Sequence, residues 1–335
     1  MLKSIVKSCL LLLILLQISS PALQLTTTAS SATPISIQRT KTESKAVPLT
    51  PVKFSGVKNI TTFAAPDSAY STIISYLRAA KKSIHLEIYS MSNYFLIQEL
   101  YAAKARNASM DIVILFSQNQ ASFFDRINTL GSAYNLSQSG IPVYLSNETF
   151  TLTHAKFWII DGVSTFIYSG NWVKTSVSAD TTYGNREWGT VVNDRNVSQY
   201  YENVFAQDLN MSSLYVSNPD DINEMTLYIQ SGSYQPQFAR QNFVENMTLQ
   251  PIFSPDNSKE VIRGLLQSAN TSILVEQQYI KTTWGTETSE FLQDLIDAKN
   301  RGVEVKVIVE GRSDDATNLR NTLLEEGISL VYLDT

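Results

Sequence analysis

Five polar residues stand at fixed spacing in one short segment of the sequence: His154, Lys156, Asp161, Ser169 and Asn171. The residues between them are mostly apolar. An imidazole can act as a nucleophile or a general acid. An ammonium, a hydroxyl and an amide can together bind the oxygens of a phosphate or an oxyanion. A fold that brings these side chains together would therefore make an oxyanion or phosphate site.

The apolar residues of the segment predict a β-hairpin. His154 and Lys156 would share one strand face, because side chains two residues apart in a strand point the same way. Gly162 supplies a turn. The β-branched and aromatic run 164–168 then predicts the returning strand. The hairpin would bring the two later polar residues of the segment close to the histidine.

The segment resembles the H-x-K-x4-D signature of the phospholipase D superfamily. In that family the motif continues as x6-G-S-x-N. Ser169 and Asn171 match this continuation, whereas Tyr168 stands where the glycine is usual. The triplet 185–187, Asn-Arg-Glu, fits a further N-x-E element of the family. The departure at Tyr168 bears on the shape of the loop below the site.

The resemblance implies a role for each matched residue. In the family, one histidine attacks phosphorus to give a phosphohistidine. A second histidine, from a second motif, protonates the leaving oxygen and then activates water. The implied catalytic residues are His154, Lys156 and Asp161, the implied phosphate ligands are Lys156, Ser169 and Asn171, and the implied supporting residues are Asn185 and Glu187. Asp161 or Glu187 would brace an imidazole. The family chemistry implies no metal and no cofactor.

The beginning of the chain predicts export. Residues 1–24 combine two lysines with a short leucine-rich run, which is typical of a signal peptide, with a membrane anchor as the alternative. Residues 25–58 are rich in Ser, Thr and Pro and predict a flexible linker. The protein is then expected to be secreted or held on the extracellular face of the membrane. Sequons for N-glycosylation, which favour a glycoprotein, occur at Asn59, Asn107, Asn135, Asn147, Asn196, Asn210, Asn246 and Asn270.

Charge and cysteine content exclude some classes of function. The net charge of the 335 residues is -5, and it becomes -7 without Lys3 and Lys7. An acidic chain is atypical of a general nucleic-acid binder. Cys9 is the only cysteine and lies in the predicted signal segment. A mature chain without it has neither a disulfide nor a cysteine-based metal site.

From residue 62 onward, helical and strand patterns alternate and predict an α/β fold with helices packed on a mixed sheet. His85 and Glu87 lie in the first apolar strand of this region. No motif surrounds His85, so a structural role is predicted for it. Glu87 is predicted to face the edge of the site.

An internal repeat indicates two lobes. The segment from Phe253 echoes the segment from Phe63, with Pro-Asp, leucine and alanine positions matching, and Glu276 falls on Glu87. Together with the resemblance, the repeat implies a phospholipase D-like, two-lobed α-β-α sandwich with mixed sheets. The predicted ranges are 59–215 for the first lobe, 216–250 for the connection and 251–335 for the second lobe. The second lobe would stop before its own motif.

The expected function is that of a phospholipase D-type phosphodiesterase. It would hydrolyse or transfer a phosphatidyl or other phosphodiester group, as in lipid degradation. A nuclease-type phosphodiesterase and a non-catalytic surface protein that binds phosphate or lipid are the alternatives. The expected partners are a phospholipid or other phosphodiester and a membrane surface, with nucleic acid less favoured. The single motif has three explanations: a fragment, which is favoured, a half-site enzyme that dimerises, or an inactive protein.

Overall fold

A computed structural model describes residues 52–120, 122–147, 149–223, 227, 229–311 and 316–333. The predicted signal segment, with Cys9, and most of the predicted linker lie outside these residues. The described chain divides into two compact units. We call residues 52–256 the larger unit and residues 257–333 the smaller unit. No helix of the described ranges combines the length and the apolar character that a membrane span needs.

The larger unit contains eleven strands and four α-helices in the described residues. Its helices are α1 (Ala69–Ala79), α2 (Tyr94–Arg106), α3 (Phe123–Gln138) and α4 (Arg195–Asn210). Its strands are β1 (Phe54–Val57), β2 (Ile60–Ala65), β3 (Ser83–Ile88), β4 (Asp111–Phe116), β5 (Val143–Leu145), β6 (Lys156–Ile160), β7 (Ser164–Tyr168), β8 (Glu187–Asn193), β9 (Ser213–Leu214), β10 (Gln241–Phe243) and β11 (Met247–Leu249).

Nine of these strands form one mixed sheet in the order β10-β2-β8-β7-β6-β3-β4-β5-β9. The pairs β3/β4 and β4/β5 are parallel, and the other neighbours are antiparallel. The predicted hairpin is confirmed, since β6 pairs with β7 from Phe157 opposite Ile167 to Ile160 opposite Ser164. Its turn holds Asp161 at φ 57° and Gly162 at φ 63°.

Helices cover both faces of the sheet. The face that we call the three-helix face packs Ile84, Leu86 and Ile88 of β3 against α1, α2 and α3. The opposite face, the α4 face, packs Phe157 and Ile159 of β6 against α4. All five residues of β6 are consequently buried. The predicted α-β-α sandwich with a mixed sheet is confirmed.

The smaller unit repeats the local order of helix and strand. Its helices are α5 (Ser258–Ser268), α6 (Glu290–Asn300) and α7 (Ala316–Glu325), and its strands are β12 (Ser272–Gln277), β13 (Thr283–Trp284), β14 (Glu287–Thr288), β15 (Glu304–Glu310) and β16 (Ser329–Leu333). Strands β12, β15 and β16 form a parallel sheet, and β13 and β14 form a hairpin. Helix α5 and strand β12 each begin 189 residues after α1 and β3.

Two predicted boundaries need correction. Residues 54–57, assigned to the flexible linker, form β1, which pairs with β11 inside the predicted connection 216–250. The same connection supplies β10, which pairs with β2. Backbone hydrogen bonds therefore incorporate both segments into the larger unit.

His85 has the predicted structural role on the α4 face. Its Nδ1 lies 2.6 Å from Glu202 Oε2 and its Nε2 lies 3.2 Å from Asp111 Oδ2. The ring also stacks on Phe205. Burial alone would lower the pKa of His85, but the bonds to the two carboxylates outweigh it and raise the pKa to about 9.

The prediction for Glu87 is wrong, because the side chain does not reach the site edge. Glu87 is fully buried on the α4 face, where its carboxyl meets that of Asp208 from α4. Burial raises the pKa of Glu87 to about 8. Two buried carboxyl groups in contact repel each other when both are charged. Glu87 and Asp208 are therefore stable together when they share a proton.

Candidate functional site

The register of three strands places the candidate site at one edge of the sheet. Lys156 opens β6 and lies opposite Ile88, which belongs to the three-helix face. His154, two residues earlier, points the same way by the strand period. Tyr168, whose side chain lies on this face, pairs with Gly189. Glu187 is two residues from Gly189, so its side chain projects to the same face. The sheet therefore brings His154, Lys156 and Glu187 to one edge and one face.

Lys156 is buried to 5% exposure and held by backbone and ring contacts. Its Nζ donates to the carbonyl of His154 over 2.9 Å and lies 5.7 Å from the ring centroid of Tyr89. Burial disfavours the ammonium and lowers the pKa of Lys156 to about 7, although the negative charge of Glu187 acts in the opposite direction. Among the residues that the structure describes, the carbonyl of His154 is the one acceptor of the ammonium, so two of its three N–H donors can bind other acceptors.

The imidazole of His154 is neutral at neutral pH. Burial, and then the positive charge of Lys156, lower its pKa to about 4. The ring of Tyr89 makes an edge-to-face contact with it, with centroids 4.6 Å apart. A neutral imidazole is suited to nucleophilic attack, because its unprotonated ring nitrogen carries a lone pair that a protonated ring lacks.

Asn171 lies in the loop that leaves β7 and crosses the end of β6. The next residue, Trp172, donates its backbone N–H to Ser90 and accepts from the backbone N–H of Asn93, so the loop is fixed beside the end of β3. Within the described residues, Asn171 Oδ1 is buried and has no hydrogen-bond partner. Its amide is therefore not committed to a structural contact there.

Glu187 is held by two hydroxyl groups. Ser169 Oγ donates to Glu187 Oε2 over 2.6 Å, and Ser176 Oγ donates to Oε1 over 2.9 Å. Gly170 makes this approach feasible, because a Cβ there would lie 2.8 Å from the Glu187 carboxyl carbon and 2.7 Å from Ser176 Cβ. The carboxylate is thus fixed in orientation, and its negative charge acts to raise the pKa of Lys156.

The predicted role of Ser169 as a phosphate ligand needs correction. Its hydroxyl donates to Glu187 and accepts the backbone N–H of Trp188 over 2.9 Å. Both contacts orient Glu187 rather than address a substrate. Tyr168, the departure from the family pattern, ends β7 in the core, stacks on Phe63 and donates its hydroxyl to the carbonyl of Ser176.

Asp161 also differs from its predicted catalytic role. It lies at the far end of β6, about 17 Å along the strand from Lys156. Its carboxylate accepts the backbone N–H groups of Lys81, Lys82 and Ser83, over 2.6 to 3.1 Å. Asp161 therefore fixes the start of β3 and cannot brace His154.

Two residues of the site escaped the sequence analysis. Tyr89 contacts both His154 and Lys156, and Ser176 holds Glu187. Tyr89 could have been predicted from the pairing of β3 with β6, because it directly follows β3. Ser176 carried no signal, because its contact depends on the loop conformation. Asn185, predicted as supporting, donates its Nδ2 to Ser176 Oγ over 3.3 Å.

Arg186, between the two supporting residues, turns away from the site. It bonds to Asp67 Oδ2 over 2.6 Å and to the Tyr234 hydroxyl over 2.7 Å. Asp67 also accepts the backbone N–H groups of Gln237 and Phe238. Within the N-x-E element, Asn185 and Glu187 therefore point to the site, whereas Arg186 points to the segment that leads to β10. Across the described ranges, no group of three or more His, Cys, Asp or Glu side chains could hold a metal ion.

Comparison with known proteins agrees with this geometry. Residues 73–209 match the family described as "Cardiolipin synthase, PLD-like domain". This part of the chain is a phospholipase D-like domain. The matched range contains every residue of the candidate site. No curated protein matches the sequence.

A solved structure with low sequence identity shares the fold. Phosphatidylserine synthase from Haemophilus influenzae is 14% identical, with a TM-score of 0.56 over 81% of this chain and 72% of that chain. Nuc from Salmonella typhimurium, described as a phospholipase D family member, is 22% identical, with a TM-score of 0.40 over 47% of this chain and 97% of that chain. The likeness to the synthase supports the fold alone.

Proposed function

We propose that this protein is a phosphodiesterase in which His154 attacks the phosphorus of a phosphodiester. The observation that carries the proposal is the pair of a neutral His154 and a buried Lys156 at one sheet edge, with the Asn171 amide in the adjoining loop. The phospholipase D-like domain supports the same chemistry.

In the proposed first step, the imidazole lone pair forms a P–N bond while the P–O bond to the leaving group breaks. Negative charge on the non-bridging oxygens is met by the ammonium of Lys156 and the amide of Asn171. Glu187 favours the charged form of Lys156 by offsetting part of the effect of burial on its pKa. Water then displaces the phosphoryl group from nitrogen, and the imidazole is regenerated.

The proposal requires a second imidazole to protonate the leaving oxygen and to activate water. The sequence contains one other histidine, His85. Both its ring nitrogens face carboxylates on the opposite sheet face, so it cannot serve. The second imidazole would come from a second copy of the chain or from a further polypeptide segment.

Steady-state hydrolysis of bis(p-nitrophenyl) phosphate, followed over a range of protein concentrations, tests the proposal. We expect activity that His154→Asn abolishes and that the matched surface variant Lys82→Gln retains. A rate per chain that rises with protein concentration would indicate a site completed by a second copy. Equal activity of His154→Asn and wild type would refute the proposal.

Export and the lipid substrate are further proposals. The acidic net charge of -5 favours a phospholipid over a nucleic acid, because a polyanion is repelled. Exposed sequon asparagines, which support a glycosylated surface, are Asn59, Asn147, Asn196, Asn210, Asn246 and Asn270. A mass decrease on glycosidase treatment of protein from a secreting eukaryotic host would support export, and the same mass before and after treatment would count against glycosylation.

Loss of hydrolysis with retained binding would favour the second candidate, a non-catalytic phosphate-binding protein. The buried ammonium of Lys156 is compatible with either function. Calorimetry with dimethyl phosphate tests whether the protein binds a diester at all. Both candidate functions predict binding by wild type that Lys156→Gln weakens.

A further inference from the structure

The first turn of α3 exposes large apolar side chains to solvent. Phe123 is 71% exposed and Phe124 is 76% exposed, and their rings contact each other edge to face. Ile127, one turn further along, is 40% exposed. The cap residue Ser122 fixes the helix start by accepting the N–H of Asp125. The helix thus presents a protruding aromatic pair rather than a groove.

More exposed apolar residues adjoin this turn. Leu214 and Val216 are 54% and 80% exposed, and with Arg126 and Leu130 of α3 they line a cavity of about 360 Å³. Ile222 is 58% exposed, and its neighbour Asn223 packs against Gly131 of α3. We call the exposed side chains of the first turns of α3, Phe123, Phe124 and Ile127, the apolar rim.

The apolar rim lies on the same sheet edge and the same sheet face as the candidate site. Strands β3, β4 and β5 are parallel, so the loops at their carboxyl ends meet at the edge where β6 begins. The end of β4 lies two strands from His154, or about 10 Å. Gln120, in the loop after β4, donates to the carbonyl of Tyr89 over 2.7 Å, and Tyr89 contacts His154.

We propose that the apolar rim docks on the surface of a zwitterionic phospholipid bilayer and presents that surface to the site. The proposal rests on the proposed function for its purpose, because His154 would then act on a membrane phospholipid. Vesicle binding itself does not need His154.

Shape and charge favour a bilayer over other partners. Two neighbouring phenylalanine rings that are each more than 70% exposed can insert between lipid headgroups. Arg126 is the one basic residue among the apolar rim and the described cavity lining, and Asp125 and Asp221 offset it. This balance complements a zwitterionic surface and opposes a nucleic-acid backbone or a strongly anionic membrane.

Cosedimentation with phosphatidylcholine vesicles tests the proposal on the full chain. We expect wild type to bind and Phe123→Ser/Phe124→Ser to bind at least about tenfold more weakly. Ile127→Ser should also weaken binding. Val244→Ser is the matched control, because Val244 is 69% exposed and follows β10 at the opposite edge of the sheet. Thermal unfolding of each variant checks that these exposed substitutions leave the fold intact.

The outcomes separate this inference from the proposed function. His154→Asn should bind vesicles like wild type while losing reaction with a soluble diester, so failure of one proposal does not mimic failure of the other. Absence of vesicle binding by wild type, or equal binding by the phenylalanine and Val244 variants, would overturn the inference. Concentration-dependent dimerisation that the phenylalanine variant abolishes, without vesicle binding, would assign the apolar rim to a contact between copies and would also overturn it.

Discussion

The affinity of Lys156 for a phosphodiester should be high at pH values below about 7 and low at pH values above it. The pKa of Lys156 is about 7 because the ammonium is buried. About nine-tenths of the side chains are then charged at pH 6, and about one-tenth are charged at pH 8. If the charge carries the contact with the non-bridging oxygens, the association constant should fall about tenfold between these two pH values.

The assay is calorimetric binding of dimethyl phosphate, whose charge does not change in this range. Lys156→Arg should remove the fall, since guanidinium stays charged throughout. Glu187→Gln should move the fall to lower pH, because the negative charge that raises the pKa of Lys156 is lost. Lys82→Gln, at an exposed lysine, is the control and should behave as wild type.

A flat association constant from pH 6 to 8 in wild type would refute the reasoning about Lys156. The same fall in Lys156→Arg as in wild type would refute it as well. Protonation of His154 near pH 4 should lower the rate of nucleophilic attack rather than the association constant.

Three further predictions concern groups around and behind the site. Gly170→Ala should destabilise the larger unit by about 1 to 3 kcal/mol and weaken diester binding, because its Cβ would displace Glu187; urea unfolding and calorimetry measure both. Asp161→Ala should cost about 2 kcal/mol of stability by leaving three backbone N–H groups without their acceptor, with diester binding unchanged at a temperature where the protein is folded. Glu87→Gln/Asp208→Asn should flatten the dependence of stability on pH, measured by urea unfolding at pH 5 and pH 8.

The sign of the last prediction follows from the raised pKa of the buried carboxyl. Folded Glu87 holds a proton up to about pH 8, whereas an unfolded glutamate releases it near pH 4.5. The stabilisation is therefore fully present below about pH 4.5 and is lost as the pH rises towards 8. His85, with its pKa raised to about 9, contributes in the same direction between about pH 6.5 and 9 and remains in the variant. An unchanged slope in the double variant would contradict the shared proton.

For each of the other two substitutions, one result would contradict the prediction. Wild-type stability and binding in Gly170→Ala would mean that Glu187 need not lie where a Cβ would stand. Lost diester binding in folded Asp161→Ala would restore a functional role to that carboxylate. Asp161→Asn is the matched control for backbone conformation, because asparagine also tolerates the positive φ of this turn.

The hairpin and the side on which His154 and Lys156 project could be predicted, because both depend on the two-residue period of a strand. The role of Asp161 could not be predicted from spacing. A strand separates its two ends by many ångströms, so a residue near in sequence lies far from the site. Only the register shows that Asp161 meets the start of β3.

Glu87 and Ser176 show a second limit. The strand period correctly places Glu87 on the face of His85, but the sequence does not show that α4 covers that face with Asp208. The contact of Ser176 with Glu187 depends on a loop of irregular backbone, for which no periodicity exists. Predictions from pattern held for the regular elements and failed where the partner came from elsewhere in the chain.

Covalent trapping of His154 tests the central claim most directly. Bis(p-nitrophenyl) phosphate has a leaving group that departs without protonation, so the first step does not need the second imidazole. The account predicts a burst of p-nitrophenol of up to one equivalent per chain and a phosphoryl adduct that peptide mass spectrometry places on His154, both absent in His154→Asn. A burst that persists in His154→Asn, or an adduct on another residue, would contradict the claim that His154 is the nucleophile.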